Sequence, residues 1–290
     1  MPEGPEIRRA ADALEKVLAG RRALEVSFAF ARLKRFEAEL TGRKITGVAP
    51  RGKAMLIHFA GGLSIYSHNQ LYGEWTVYPG APPDSHLQQR LVIRTSAGTA
   101  VLYSASEISV QRTGELAHHP YIVRLGLDLL GADATPAAVL AQVKQPRFAR
   151  RRLAGLLLDQ GFLAGLGNYL RSEILFAASL HPDLVLGDLS AAQHGLLART
   201  ALAITRRAYR TAGVTNALLL ARRLKARGLS FREYRFAVFE RTGAPCYVCG
   251  TTIRRLERGR AVFICPHCQA LPDAEPVSSA AARRKTRRQA

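Results

Sequence analysis

Four cysteines, Cys246-x2-Cys249-x15-Cys265-x2-Cys268, constrain this chain more than any other feature, and they are all the cysteines its 290 residues contain. Each Cys-x2-Cys pair suits a tight turn, and two such pairs can close a tetrahedron of thiolates around one Zn²⁺. Disulfides are the competing use, disfavoured where thiols are kept reduced. Between the pairs, Ile253 to Ile264 reads as a β-hairpin with Glu257-Arg258-Gly259-Arg260 as its turn. A module this small cannot bury enough apolar surface to fold alone, so one structural zinc is expected to supply its folding free energy. An arginine at a rigid hairpin tip is well placed to grip a phosphate. His267 lies between two ligands, but four sulfurs already complete the site.

A partner follows from charge. The chain carries 42 Lys+Arg against 22 Asp+Glu, a formal +20. Residues 1–130 hold 16 basic and 12 acidic side chains, whereas 131–290 hold 26 and 10. A polyanion is therefore expected mainly against the second half, and nucleic acid is the leading one. No run approaches 18 apolar residues; the densest, Leu153 to Leu166, is broken by Asp159 and Gln160. No membrane partner is expected. The opening Met-Pro-Glu-Gly-Pro-Glu places acids and prolines where a secretory leader needs a basic and then an apolar stretch, so a cytoplasmic protein is expected. Nothing in the pattern calls for an oligomer, and a monomer is expected.

Pro5 to Gly20 reads as a helix, with Ile7, Ala11, Leu14 and Leu18 on one face. From Ala23 to about Val110 short strands take over. Met55–Phe59 and Leu63–Ser67 flank Gly61-Gly62, while Leu91–Thr95 and Ala100–Tyr103 flank a second turn. No crossover helices separate them, so the sheet is antiparallel, a sandwich or barrel. Helical periodicity returns over 135–210, with helices expected at Arg152–Asp159, Tyr169–Ala178 and Ser190–Arg210. Residues 211–232 show no clean period and read as a long loop. The fold class is thus multidomain α+β: an antiparallel sandwich over 1–130, a helical DNA-binding domain over 131–232, a zinc module over 233–269 and a disordered basic tail over 270–290.

Met-Pro favours removal of the initiator methionine, which would leave Pro2 as a secondary amine. Such an amine attacks an aldehyde carbon to give an iminium that cannot shed its charge by losing an N–H proton, an effective electron sink. An α-amino group with a pKa near ~8 keeps a useful neutral fraction at physiological pH. Glu3 and Glu6 follow at the start of the helix, where the dipole favours carboxylates, and one could move the proton this chemistry needs. A helix start with acids in its first turn is the plain alternative.

The blocks Met1-Pro2-Glu3-Gly4-Pro5-Glu6-Ile7-Arg8-Arg9, Arg51-Gly52-Lys53, Tyr66-Ser67-His68-Asn69-Gln70-Leu71-Tyr72-Gly73, Leu157-Leu158-Asp159-Gln160, Gly165-Leu166-Gly167-Asn168-Tyr169-Leu170-Arg171 and the terminal Cys-Pro-x-Cys-Gln stand in order. In that order and spacing, over residues 1 to about 269, the chain resembles the formamidopyrimidine-DNA glycosylase/endonuclease VIII family. Gly4 and the Gln-Leu-Tyr run resemble its endonuclease VIII branch.

The resemblance implies a bifunctional DNA glycosylase/AP lyase of bacterial type, cytoplasmic and nucleoid-associated, acting on oxidised pyrimidines in duplex DNA. It implies that Pro2 attacks C1′, that Glu3 serves as acid and base, and that Lys53 acts from a β-hairpin. Arg260 would grip the phosphate beside the flipped nucleotide. Asn168, in a helix-two-turns-helix element, would bind a nearby phosphate, Glu6 would stand beside the DNA, and Gln70, Leu71 and Tyr72 would fill the hole left by the extruded base. Cys246, Cys249, Cys265 and Cys268 would hold zinc away from the chemistry. Two readings share these residues: an 8-oxoguanine/formamidopyrimidine glycosylase on the same scaffold, and a non-catalytic zinc-ribbon nucleic-acid binder.

Overall fold

Helix α1 (Gly4–Leu18) begins one residue before the proline that suits its first turn, and Glu3 is its N-cap. The Glu6 carboxylate reaches back to accept the Glu3 N–H at 3.0 Å, half of a capping box. Its apolar stripe, Ile7, Ala11, Leu14 and Leu18, is buried as the period requires. The structure is a computed structural model describing residues 2–271. Met1 and 272–290, where methionine removal and most of the disordered basic tail were expected, lie outside the described residues.

The stripe of α1 packs against two four-stranded sheets. Strands β1 (Glu25–Phe28), β2 (Ile45–Arg51), β3 (Ala54–Phe59), β4 (Leu63–His68), β5 (Glu74–Tyr78), β6 (Gln89–Thr95), β7 (Gly98–Tyr103) and β8 (Glu107–Arg112) supply them. One sheet runs β2-β3-β4-β8 and the other β1-β6-β7-β5, every pairing antiparallel. A short helix, α2 (Glu37–Leu40), follows β1. Met55, Ile57 and Ile65 from one sheet share a core with Phe28, Ile93 and Leu102 from the other, so the sheets are face to face, as the alternation predicts. On the outer face of the first sheet, Ala54, Leu56 and Tyr66 pack under Leu116 and Tyr121.

Beyond a parallel pairing of β9 (Leu127–Asp128) with β10 (Leu163–Ala164), the chain is helical. The helices are α3 (Pro136–Val143), α4 (Leu153–Leu156), α5 (Asn168–Ala177), α6 (Ala191–Arg210), α7 (Leu218–Ala226) and α8 (Phe231–Arg235). Their core runs from Val139 through Leu157, Leu170 and Leu197 to Ala208. It also takes in Val262 and Ile264 of the hairpin formed by β11 (Arg254–Leu256) and β12 (Val262–Ile264). The zinc-module hairpin is therefore one wall of the helical half.

Three local expectations are corrected. The helix expected over Arg152–Asp159 is a single turn, because the chain must bend at 159–161, where the Asp159 carboxylate accepts the Gly161 N–H. An unexpected α3 starts at Thr135-Pro136, a Thr cap followed by proline. The long loop expected over 211–232 instead holds α7 and the first two residues of α8. Only Ala221 and Leu224 of α7 are buried while Leu218 and Leu219 are exposed, so its leucines do not mark one face. The Ser230–Glu233 capping box was the signal available there. Helix α8 also carries the chain across the boundary expected at 232/233.

Candidate active site

Two glycine-containing turns bring the chain's first residues against α5. The Gly4 N–H donates to the Gly165 carbonyl at 2.8 Å. A β-carbon on Gly4 would stand 3.1 Å from the Gly165 Cα, tighter than ordinary van der Waals contact, so a side chain there would press on the backbone at 165. Glu3 is thereby set into the N-terminus of α5, its carboxylate accepting the N–H groups of Gly167 at 2.7 Å, Tyr169 at 2.9 Å and Leu170 at 3.3 Å. These are amides that a helix start leaves without internal partners. Glu3 is 3% exposed. Burial raises its carboxyl to about 7, against the opposing pull of the Lys53 charge and the Tyr169 amide.

Lys53 arrives from the β2–β3 turn. Gly52 there has φ +59, and its N–H donates to the Asp128 carboxylate at 2.8 Å. The Lys53 N–H donates to the Tyr121 hydroxyl at 2.8 Å. The side chain is buried, and burial lowers its pKa while Glu3 raises it and Arg260 lowers it further. Lys53, Glu3 and Arg260 thus feel one another's charge, although they are far apart in sequence.

Pro2 stands between two open cavities. One, of about 560 Å³, is lined by Pro2, Glu6, Asn168, Arg235, Phe236 and Arg260 among others. The other, of about 460 Å³, runs from Pro2 past Asn69, Leu71 and Tyr72 to Trp75. Glu6 borders both cavities, but its carboxylate is occupied by the Glu3 N–H and by the Tyr169 hydroxyl at 3.0 Å, so it braces the site. Asn168 opens α5, and its Oδ1 accepts from Arg171 at 2.7 Å, which leaves the amide NH₂ for another acceptor.

The sequence reading assigned no role to Arg171 or Arg235. Arg171 is fully buried, and burial lowers its guanidinium to about 10. It donates to the carbonyls of Ala154, Arg260 and Ala261, tying Asn168 to the hairpin tip. Arg235 lies over the rings of Phe236 and Phe231 at 4.2 and 4.7 Å and forms part of the cavity wall. Neither residue has a local pattern that would mark it, since each is defined by partners distant in sequence.

The 70–72 loop is divided in its orientation. Gln70 has φ +50 and lies back on the sandwich, donating to Glu107 at 3.0 Å and accepting from Ser106 at 2.8 Å. Leu71 and Tyr72 are 56% and 81% exposed, an apolar pair presented to solvent.

In the zinc module the four cysteine sulfurs lie within 4.8 Å of one another. The Cys249 sulfur is 3.4 Å from that of Cys265 and 3.5 Å from that of Cys268, close to the edge of about 3.8 Å that a tetrahedron of 2.3 Å Zn–S bonds requires. Hydrogen bonds from Thr251 pull the Cys249 thiol down to about 6, toward the thiolate a metal needs. The donor set fits one structural Zn²⁺.

Comparisons with known proteins agree with this geometry. The family models described as the formamidopyrimidine-DNA glycosylase N-terminal domain, the formamidopyrimidine-DNA glycosylase H2TH domain and the zinc finger found in FPG and IleRS match residues 1–106, 125–218 and 243–271. Endonuclease 8 of Salmonella arizonae is 46% identical over 271 residues, covering 93% of this chain and 100% of the relative. Endonuclease 8 of Escherichia coli is 45% identical over the same extent. Among solved structures, Lactococcus lactis Fpg in complex with DNA containing an oxidised pyrimidine has a TM-score of 0.75 at 22% identity, covering 93% of this chain and 100% of that one. The same enzyme with N7-benzyl-Fapy-dG DNA has a TM-score of 0.75 at 23% identity and the same coverage.

Proposed function

Because the chain belongs to the formamidopyrimidine-DNA glycosylase/endonuclease VIII family, we propose that it excises oxidised pyrimidines from duplex DNA with Pro2 as nucleophile and then cuts the strand by β,δ-elimination. As a member of that family it is a DNA glycosylase/AP lyase of base excision repair. Identity of 45–46% to endonuclease 8, against 22–23% to the Fpg structures, supports the pyrimidine preference.

The observation that carries the reading is Glu3: a buried carboxyl raised to about 7, directly after Pro2 in the chain. Near neutral pH it exists as both acid and base, which suits a group that must give a proton and take one back. The Pro2 nitrogen forms a bond to C1′ as the glycosidic bond breaks; the electron pair leaves on the base, which takes up the proton that the Pro2 nitrogen sheds. Glu3 protonates the opening sugar, and an iminium remains at C1′. Its positive charge acidifies the C2′ proton, which the Glu3 carboxylate takes back as the 3′ phosphate is expelled; a second elimination, with loss of the C4′ proton, expels the 5′ phosphate. Lys53, buried and sensing Glu3, is placed to stabilise and relay charge during these steps.

The remaining assignments concern binding. Asn168 offers its free amide NH₂ and Arg260 its guanidinium to phosphates flanking the extruded nucleotide. Gln70, Leu71 and Tyr72 occupy the gap in the stack, Gln70 leaving its dock on Glu107 to do so. Glu6 keeps Glu3 and Tyr169 in place. Cys246, Cys249, Cys265 and Cys268 hold Zn²⁺, which fixes the hairpin and touches no reacting atom. The functional units are the sandwich over 1–130, the helix-two-turns-helix unit from 131 and the zinc module up to 269, the division expected at 232/233 falling inside α8. The enzyme acts as a monomer on DNA at the nucleoid. No helix among the described residues is long and apolar enough to cross a membrane.

Borohydride trapping on duplexes carrying dihydrouracil or 8-oxoguanine, with peptide mapping, tests this reading. An adduct at Pro2, stronger with dihydrouracil, is expected. A stronger adduct with 8-oxoguanine would transfer the substrate to the other branch of the family. Tight DNA binding without any adduct, in a chain whose intact mass shows the methionine gone, would sink the Pro2 chemistry.

A further inference from the structure

The tip of the zinc hairpin is pinned on both sides of Arg260. After it, the fully buried Arg171 donates to the Arg260 carbonyl at 3.0 Å and to the Ala261 carbonyl at 2.6 Å. Before it, Arg258 forms a two-point pair with Asp183, Nε to Oδ1 at 2.5 Å and Nη2 to Oδ2 at 2.6 Å. Between these two clamps stands Gly259, at φ +73, a residue that would otherwise let the turn swing. The Arg260 side chain is exposed and makes no hydrogen bond or ion pair among the described residues. Its backbone is fixed and its guanidinium is free.

Asp183 is itself held. The Arg152 guanidinium donates to its carbonyl at 3.2 Å, and its N–H donates to the His181 ring at 3.2 Å. Its side chain is 14% exposed, and the Arg258 hydrogen bonds hold its carboxyl below the usual carboxylate range. It lies in the segment just after α5, the helix that begins at Asn168 and seats Glu3. Arg258 commits three of its five N–H donors within the protein, the third being its Nη1, which donates to the Glu257 carbonyl at 2.7 Å.

We propose that Asp183 and Arg258 are a positioning pair, which holds the hairpin so that the Arg260 guanidinium faces the cavity it shares with Pro2. A two-point guanidinium–carboxylate pair fixes angle as well as distance, which a single lysine–carboxylate contact does not. Neither residue touches the substrate, and both act through Arg260. The inference rests on the role given to Arg260 above.

The test uses the full-length zinc-loaded protein and single-turnover cleavage of a dihydrouracil duplex at saturating enzyme. Wild-type cleavage and a loss on Arg260→Ala come first; without them the function proposed above fails, whatever Arg258 does. Given both, Arg258→Ala and Asp183→Asn should each slow cleavage roughly 5- to 20-fold, with any loss of DNA affinity no larger than that of Arg260→Ala. Zinc content should stay at one per chain. The swapped pair Asp183→Arg/Arg258→Asp should recover part of the rate, and Arg258→Lys should recover less. In the Arg260→Ala background, Arg258→Ala should cost nothing more. Additive losses in that background, or an Asp183→Asn variant with the wild-type rate, would overturn the proposal. So would an affinity loss on Arg258→Ala that persists in the Arg260→Ala background, which would make Arg258 a direct phosphate contact.

Discussion

The Gly167 N–H donates to the Glu3 carboxylate at 2.7 Å across 164 residues of sequence, and a β-carbon on Gly167 would overlap that carboxyl group. Glycine is needed here for space, since the backbone of one half must close over the acid of the other. Gly167→Ala should therefore push Glu3 out of its seat on the Tyr169 and Leu170 amides. We expect base excision to fall by about 100-fold or more, the range lost when a positioned acid–base group is removed. Binding to an uncleavable duplex should change much less, because Arg260 and the 70–72 loop lie off this turn and only Asn168 adjoins it. Parallel excision and binding measurements on the variant would decide it; equal losses in both would mean that the turn, rather than Glu3, had been damaged.

The pH profile follows from the two neighbours at the chain start. In the mechanism proposed above, excision needs Glu3 protonated and Pro2 neutral. The Pro2 amine loses its proton near ~8, so the rate should climb as pH rises toward that value. Glu3, raised to about 7 by burial, loses its proton over the same range, so the rate should fall again on the alkaline side. The reactive form is then a minority at every pH and peaks between the two values, near 7.5. The Lys53 charge lowers the Glu3 value, so Lys53→Met should slow the reaction and also move the alkaline limb upward. Single-turnover rates from pH 5.5 to 9.5 would show both limbs. A rate still rising at pH 9.5 would remove Glu3 as the acid.

Loss of zinc should reach beyond the module that binds it. Val262 and Ile264 of the hairpin lie in the core of the helical half, and Arg171 bonds the two tip carbonyls. Cys246→Ser should abolish stoichiometric zinc, loosen the helical half and eliminate strand cleavage. The sandwich, with its own core of Ile7, Phe28 and Ile93, should survive as a protease-resistant fragment. Metal analysis with limited proteolysis checks each part. Full cleavage by metal-free protein would contradict a structural role for the ion.

How much of this was legible in the sequence depended on distance along the chain. The Cys-x2-Cys pairs, the hairpin between them, the Glu3 and Glu6 start of α1 and the Gly61-Gly62 turn are local, and their spacing carries the structure. Arg171 and Arg235 carry no local pattern, because an arginine next to Leu170 or Tyr234 reads as a surface charge until its distant partners are known. The pair Asp183–Arg258 spans 75 residues, beyond any helical or strand period. The helix α7 was missed for a related reason. Its exposed Leu218 and Leu219 blur the stripe that Ala221 and Leu224 would otherwise have drawn. Gln70 was read as one of three filling residues, yet only Leu71 and Tyr72 stand free, since Ser106 and Glu107 hold Gln70 against the sandwich.

That division within the loop makes a prediction about when the wedge matters. Leu71 and Tyr72 are 56% and 81% exposed, so truncating them removes little buried surface, and Leu71→Ala/Tyr72→Ala should melt within a few degrees of the parent. In the gap-filling role proposed above, their work begins only when a nucleotide leaves a paired stack. Replacing lost base stacking by a side chain is worth ~1–3 kcal/mol per base, or roughly 5- to 150-fold in rate. The double variant should lose that factor on a fully paired dihydrouracil duplex. On single-stranded DNA carrying the same lesion there is less stack to break and no gap to fill, so the loss should shrink to about threefold or less. Glu107→Gln should do the opposite for Gln70, weakening its dock and leaving excision unchanged or faster. An equal loss for the double variant on paired and single-stranded substrates would mean that the loop binds DNA without acting as a wedge.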